Sequence, residues 1–236
     1  MSDKPTRVLL VRHATNDWIG KRLAGWTPGV HLNERGRAQA EALGERLASL
    51  QLAAIYSSPL ERTMETAAAI ASHHGNCPVQ QVEGLGEVRC GDWTGQAIEE
   101  LVKTDLWRQV QHAPSAFRFP NGDSIWETQV RLLKTLETLV AAHPGETIIA
   151  VSHSDPIKLA AAFFLGMPLD LFQRLVVEPA SITELVFGTF GARLLRCNDT
   201  AHVPAEAEAQ PKGPAEPAAQ AGQPPERPAE KAAQGQ

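Results

Sequence analysis

Val8-Leu9-Leu10-Val11-Arg12-His13-Ala14-Thr15-Asn16-Asp17 is the stretch on which the fold turns. Four aliphatic residues in a row, bounded by polar and turn-forming residues, predict a buried strand, so Arg12 and His13 emerge at its carboxyl end. In an open α/β sheet that is where ligands bind. A guanidinium fork matches phosphate oxygens, and a neutral imidazole beside it can attack phosphorus or donate a hydrogen bond. Alone, the pair equally fits a surface arginine and a strand-end histidine.

Downstream, Asn33-Glu34 precede Ala40, Leu43, Leu47 and Leu50 at helical spacing, which predicts a helix of about four turns. Ala54-Ile55-Tyr56-Ser57 reads as a second strand, and Ser58-Pro59-Leu60-Glu61 as a capping box with proline at the first helical position. A third strand is expected over 79–82, then a glycine-rich loop from Gly84 to Trp93. The segment 94–121 is mixed, with short helices near 97–102 and 106–112. Ser124-Ile125-Trp126-Glu127 is a second capping box, opening a long helix marked by Val130, Leu133, Leu136, Leu139 and Val140 and closed by Pro144-Gly145.

Thr147-Ile148-Ile149-Ala150-Val151 is a near-continuous apolar strand of the parallel-sheet kind, ending in Ser152-His153-Ser154. Asp155-Pro156 is read as the cap of the next helix, which stops at Gly166. Strands near 175–177, 182–187 and 194–197 complete the sheet. Alternating strands and helices predict an α/β fold, a three-layer α/β/α sandwich whose central sheet is mostly parallel and antiparallel at an edge.

The chain has 236 residues, 43% of them hydrophobic, enough for a full core. From Thr200 the composition collapses to Ala, Pro, Glu, Gln and Gly, so 1–199 is expected to be the folded domain and 200–236 a disordered tail. A net charge of −5 gives no long-range attraction to nucleic acid or an anionic membrane. No window is apolar enough to span a bilayer, and Met1–Thr6 carry no leader core, which makes the expected location cytoplasmic. Cys77, Cys90 and Cys197 form no paired motif and read as reduced thiols. No sequence signal fixes the oligomeric state.

Arg12 and His13 follow the first strand, Arg62 lies in the first turn after the second, Glu87 follows the third and His153 the fourth. If those strands are neighbours, two guanidinium groups and two imidazoles surround one anion, with a carboxyl left to handle a proton. An arginine in a helix's first turn opposes the helix dipole, which a bound anion would relieve. Asp92 and Asp155 stand as alternatives to Glu87 for the proton-handling role.

These residues sit in a set of ordered motifs: Leu10-Val11-Arg12-His13-Ala14; Gly25-Trp26 with Leu32-Asn33-Glu34-Arg35-Gly36; Ser57-Ser58-Pro59-Leu60-Glu61-Arg62-Thr63; Glu87 with Gly91-Asp92-Trp93-Thr94-Gly95; Pro120-Asn121-Gly122-Asp123-Ser124; and Val151-Ser152-His153. In order and spacing the chain resembles the histidine phosphatase superfamily, phosphoglycerate mutase-like branch, over about residues 6–198. The resemblance implies a phosphatase acting on a small phosphorylated metabolite through a phosphohistidine at His13. Arg12, Arg62 and His153 would hold the transferring oxygens, with Asn16, Gly25 and Ser154 also contacting phosphate or substrate. Glu87 would protonate the leaving oxygen and then deprotonate water. It implies no cofactor and no metal, and the sequence has neither an aspartate-rich metal motif nor a glycine-rich phosphate loop followed by Lys and Ser or Thr.

The chain departs from the family pattern at Asn16, where a hydroxyl residue is usual, at Ile19, where an asparagine is common, at Ala24 and at Asp123. Between Glu87 and His153 it has the short interval of the phosphatases and no consecutive arginine pair, which favours phosphatase over phosphomutase. A non-catalytic phosphoester-binding module is the rival from another class, argued against by both histidines and Glu87. Trp93, Trp107, Trp126, Phe117 and Phe119 read chiefly as core, with a lid or substrate wall as the second reading. His73-His74 reads as a helix-end surface pair, because adjacent helical residues point apart.

Overall fold

The computed structural model describes residues 4–75 and 77–203. In chain order its main elements are β1 (Thr6–Arg12), α1 (Glu34–Leu47), β2 (Ala54–Ser57), α2 (Glu61–Ser72), β3 (Val79–Gln81), α3 (Ile98–Leu101), α4 (Asp105–His112), α5 (Ile125–Ala142), β4 (Thr147–Ser152), α6 (Ser154–Phe164), β5 (Ile182–Gly188) and β6 (Gly191–Asp199). The strands form one sheet in the order β3-β2-β4-β1-β5-β6. The first four run parallel, and β5 and β6 pair antiparallel at the far edge.

Side chains alternate along β1, so its two faces feed two cores. Leu9 and Val11 pack with Leu43, Leu47 and Ile70 from α1 and α2. Val8 and Leu10 pack with Leu132, Leu136, Ile157 and Ala160 from α5 and α6. The sandwich is therefore three-layered, as the alternating elements predict. Each such aliphatic side chain buried contributes about 1.5–3 kcal/mol. A third cluster lies beyond α6, where Trp93, Phe117 and Phe119 stack on Leu159, Ala162 and Phe172.

Local signals set most boundaries. The Asn33 side chain accepts from Gly36 N–H at 2.9 Å to open α1, and both arms of the Ser124–Glu127 capping box are formed. Three expectations are corrected. Helix α2 begins at Glu61 after a Leu60 cap with no side-chain bond, because the Ser58 hydroxyl is turned toward His153. His153, not Asp155, is the cap residue of α6, and Asp155 lies inside its first turn. Residues 175–177 are not a strand, and the Val177 carbonyl is taken by Arg12 at 2.6 Å instead of by a sheet partner.

Packing continues past the boundary drawn at Asp199. His202 Nε2 donates to the Ala180 carbonyl at 2.9 Å, and Val203 packs against the α1/α2 core. The rest of the tail, from Pro204, lies outside the described residues. Among the described residues no helix is long and apolar enough to cross a membrane.

Candidate active site

Strand register brings the two histidines together. Arg12 pairs with Ser152 across β1 and β4, and His13 N–H donates to the Ser152 carbonyl at 3.0 Å, so the next residues on each strand, His13 and His153, stand side by side. Their rings meet edge to face with centroids 5.3 Å apart. On the other side of β4, Ser58 N–H extends the β2 ladder onto the Val151 carbonyl, which carries the start of α2 and Arg62 to the same end of the sheet.

His13 is 4% exposed, and its Nδ1 lies 2.8 Å from the Ala14 carbonyl. A carbonyl only accepts, so Nδ1 carries the proton and Nε2 the lone pair. Ala14 is itself anchored, its N–H donating to Thr66 Oγ1, which donates in turn to the Arg62 carbonyl. Burial first, then the Arg62 and Arg12 charges, hold the His13 pKa well below its ordinary value, so the ring is neutral near pH 7.

His153 is fully buried and both ring nitrogens are engaged. Arg62 Nη2 donates to Nδ1 at 3.2 Å, which leaves the proton on Nε2, 2.8 Å from Ser58 Oγ. Burial, and after it the charge of Arg62, lowers its pKa well below normal too. Glu87 Oε2 is 4.0 Å from the same Nδ1.

Arg62 is 1% exposed, spends Nη2 on the Gly25 carbonyl at 2.9 Å and on His153, and keeps Nε and Nη1 without protein partners. Arg12 likewise leaves Nε unpartnered. Unpaired buried donors are costly, and an anion between the two guanidinium groups would satisfy them. The Glu87 carboxyl accepts from Val88 N–H at 2.9 Å. Burial, reinforced by Asp155, raises it to about 7 against the pull of Arg62 and Arg12.

These groups open on a cavity of about 200 Å³. Arg12, His13, Arg62 and Glu87 line it, as do Asn16, Gly25 and Ser154. His153 does not, and stands behind Arg62. Asn16 Oδ1 accepts from Trp18 N–H, which fixes the amide against the loop. Gly25 adopts φ +47°, a backbone that disfavours a side chain and turns its carbonyl onto Arg62. The departures Ile19 and Ala24 lie on the cavity wall. Of the alternative acids Asp155 reaches the wall, whereas Asp92 is taken by Asn121.

Among the aromatic residues, Trp93, Phe117 and Phe119 are core, and Phe119 also forms part of the wall. Trp107 stacks on Trp93, while Trp126 is 57% exposed on the opposite side of α5 from the core. His73 is tied to Glu41 at the end of α2, but both histidines are half-buried against α1 and not a surface pair, and His74 Nε2 is buried without a partner. Ser58, Thr66, Trp26 and Arg131 are functional supports that the reading of the sequence did not assign. The Ser-Pro-Leu-Glu pattern that disguised Ser58 as a cap is a genuine helix signal, and Arg131 is one of two basic residues on α5, with nothing in its local pattern to set it apart from Lys134.

A family model described as histidine phosphatase superfamily (branch 1) matches residues 8–200. The chain belongs to the histidine phosphatase superfamily. This histidine phosphatase is 31% identical over 202 residues to phosphoserine phosphatase 1 of Hydrogenobacter thermophilus, covering 84% of the chain and 94% of the relative. It is 30% identical over 155 residues to phosphoglycerate mutase-like protein 4 of Arabidopsis thaliana, covering 64% and 67%. Among solved structures, Bacillus stearothermophilus YhfR superposes with a TM-score of 0.79 at 30% identity, covering 84% of the chain and all of YhfR.

Proposed function

We propose that this histidine phosphatase hydrolyses small phosphomonoesters through a phosphohistidine at His13. Support comes above all from Arg62, a buried guanidinium with two unpartnered N–H groups in a cavity that His13 and Glu87 also line. The lone pair of His13 Nε2 attacks phosphorus while the ester P–O bond breaks. The departing oxygen takes the Glu87 proton, and Nδ1–H stays on the Ala14 carbonyl. Arg12 and Arg62 neutralise the equatorial oxygens, which is most of what phosphoryl transfer asks of a protein. Water then attacks phosphohistidine, Glu87 takes its proton, and His13 Nε2 is regenerated.

His153 joins this set by a change of tautomer. With the Ser58 hydroxyl rotated to donate to Nε2, the Nδ1–H points to where Arg62 Nη2 now sits, and Arg62 is released to the anion. Asn16, Gly25 and Ser154 line the remaining rim, and a cavity of about 200 Å³ accommodates a small metabolite. Three free thiols, one of them exposed, support a reducing and therefore cytoplasmic setting.

Quenching in alkaline detergent after mixing with a ³²P-labelled phosphoester should leave label on the chain that survives base and is lost in acid, absent in His13→Ala. Turnover that survives in that variant overturns the assignment. Measuring free phosphate against isomerised product separates hydrolysis from phosphomutase activity, with free phosphate expected.

A further inference from the structure

We infer that Arg131 is a positioning residue for the proton-transfer step, fixing Glu87 against the leaving oxygen by gripping the backbone of the loop that carries it. This rests on the reading of Glu87 as the acid. Arg131 lies on α5, in the helix layer behind that loop. Its Nη1 is 3.3, 3.2 and 3.0 Å from the carbonyls of Glu83, Gly84 and Gly86, and its Nη2 donates to the Glu87 carbonyl at 2.9 Å. Each of these bonds goes to a main-chain oxygen.

The loop needs such a clamp. It belongs to no strand, and its internal backbone bonds are Leu85 N–H to Val82 and Gly86 N–H to Glu83. Four carbonyls converge on one guanidinium, whose planar donors stay protonated and keep a fixed fork. Trp26 adds a second clasp, its Nε1 donating to the Glu87 carbonyl at 2.7 Å. The ring also lies so close to Gly86 that a Cβ there would sit 2.2 Å from it. The Glu87 side chain therefore starts from a backbone carbonyl held at two points.

A displaced acid slows only those reactions that need its proton. p-Nitrophenyl phosphate expels a weakly basic phenolate unaided, whereas an alkyl phosphate such as glycerol phosphate expels a strongly basic alkoxide. The ratio of their kcat/KM values, which report steps up to leaving-group departure, isolates proton delivery from phosphate binding and from folding. Arg131→Lys keeps the charge and loses the fork. In the full chain it should lower kcat/KM for the alkyl ester about 100-fold, the scale of a 1 Å misplacement, and leave the nitrophenyl ester within about threefold. Trp26→Phe should show the same selectivity with a smaller loss, and supplies the reading if Arg131→Lys fails to fold.

Equal losses for both esters, or none, overturn the inference. Glu87→Gln is the control. If it too spares the nitrophenyl ester, Glu87 is the acid and Arg131 stands or falls on its own result; if it does not, the assignment of Glu87 fails instead.

A different observation points to a second site: α5 carries an outward apolar stripe besides its core face. Trp126, Val130, Leu133 and Val140 recur at helical spacing and, with Phe163 and Phe187, line a groove of about 590 Å³. Trp126 and Phe163 are 57% and 51% exposed, a patch of the kind that marks an interaction surface. We propose that it docks a second copy of the chain, α5 against α5, about a twofold axis.

Charge argues for that occupant. An antiparallel pairing centred between Thr135 and Leu136 sets Lys134 level with Glu137 of the partner subunit, and Val130 level with Ala141 of the partner subunit. All four positions line the groove. The sequence from Pro204 to Gln236 has no aromatic residue and no aliphatic one larger than alanine to fill it.

Sedimentation of the full chain should show a dimer with Kd below about 10 µM, broken by Phe163→Asp. Lys134→Glu and Glu137→Lys should each weaken it, and mixing the two variants should restore it, because only the heterodimer matches every charge. A monomer at about 100 µM overturns the proposal, as does a dimer indifferent to Phe163→Asp. A monomer whose Trp126 emission shifts on deletion of 204–236 assigns the groove to the tail.

Discussion

Glu87→Gln should make the protein more stable and less active, with both effects governed by pH. The carboxyl is raised from an ordinary 4.5 to about 7 by burial and Asp155. The folded chain therefore binds more protons than the unfolded one between those values, and its stability declines as pH rises through them. Above pH 7 the whole difference has been lost, about 3 kcal/mol. Glutamine is neutral at every pH, keeps the Oε1 that accepts from Val88 N–H, and matches the shape of the protonated acid. At pH 4.5 the two proteins should melt together. At pH 8 the variant should melt higher by about 6–12 °C, at about 2–4 °C per kcal/mol for a domain of this size. Calorimetry of both proteins from pH 4.5 to 8.5 checks it, alongside kcat/KM for an alkyl phosphate, which should fall about 10²–10⁴-fold. A variant that melts no higher at pH 8, or whose advantage is flat with pH, refutes the assignment of Glu87 as a partly buried acid held near neutrality.

In the wild-type protein kcat/KM for an alkyl ester should decline above about pH 7 as Glu87 ionises, and a pH profile of Glu87→Gln should lack that limb. His13 and His153 are both held neutral, so the unfolded chain takes up protons first as pH drops below 6.5. Their contribution to stability should fall there by up to about 2.7 kcal/mol per pH unit, about half of it offset by Glu87 in the wild-type chain, so it is read from denaturant midpoints of Glu87→Gln at pH 7 and 5. Arg62→Met should lower kcat/KM about 10³-fold and weaken inhibition by inorganic phosphate, because it removes two donors aimed at the anion. Ser58→Ala should slow turnover without preventing phosphohistidine formation, since it removes the hydroxyl that lets His153 change tautomer; label that never forms would place Ser58 closer to the chemistry.

The reading of particular elements shows where sequence sufficed. Ser124 caps its helix through bonds closed within four residues, and Val8–Val11 and Thr147–Val151 are aliphatic runs that fill both faces of a buried strand, so local pattern found all of them. Ser58 failed the same test because a cap and a long-range partner use the same hydroxyl, and the choice lay with His153, 95 residues away. Residues 175–177 have strand-like composition, yet the Val177 carbonyl is turned to the Arg12 guanidinium and the Ser154 hydroxyl, partners that the linear order keeps far apart.

The chain order of Arg12, His13, Arg62, Glu87 and His153, each placed just after a strand, was written in the sequence because hydrophobic runs and turn residues mark strand ends. Their convergence was not. It depended on β4 inserting between β1 and β2 with Arg12 opposite Ser152, a register set by packing on both faces of the sheet. The same packing fixed the tautomers of the two imidazoles, the raised Glu87 carboxyl and the grip of Arg131, because proton affinity and hydrogen-bond direction depend on burial and on neighbours that the linear order keeps far apart.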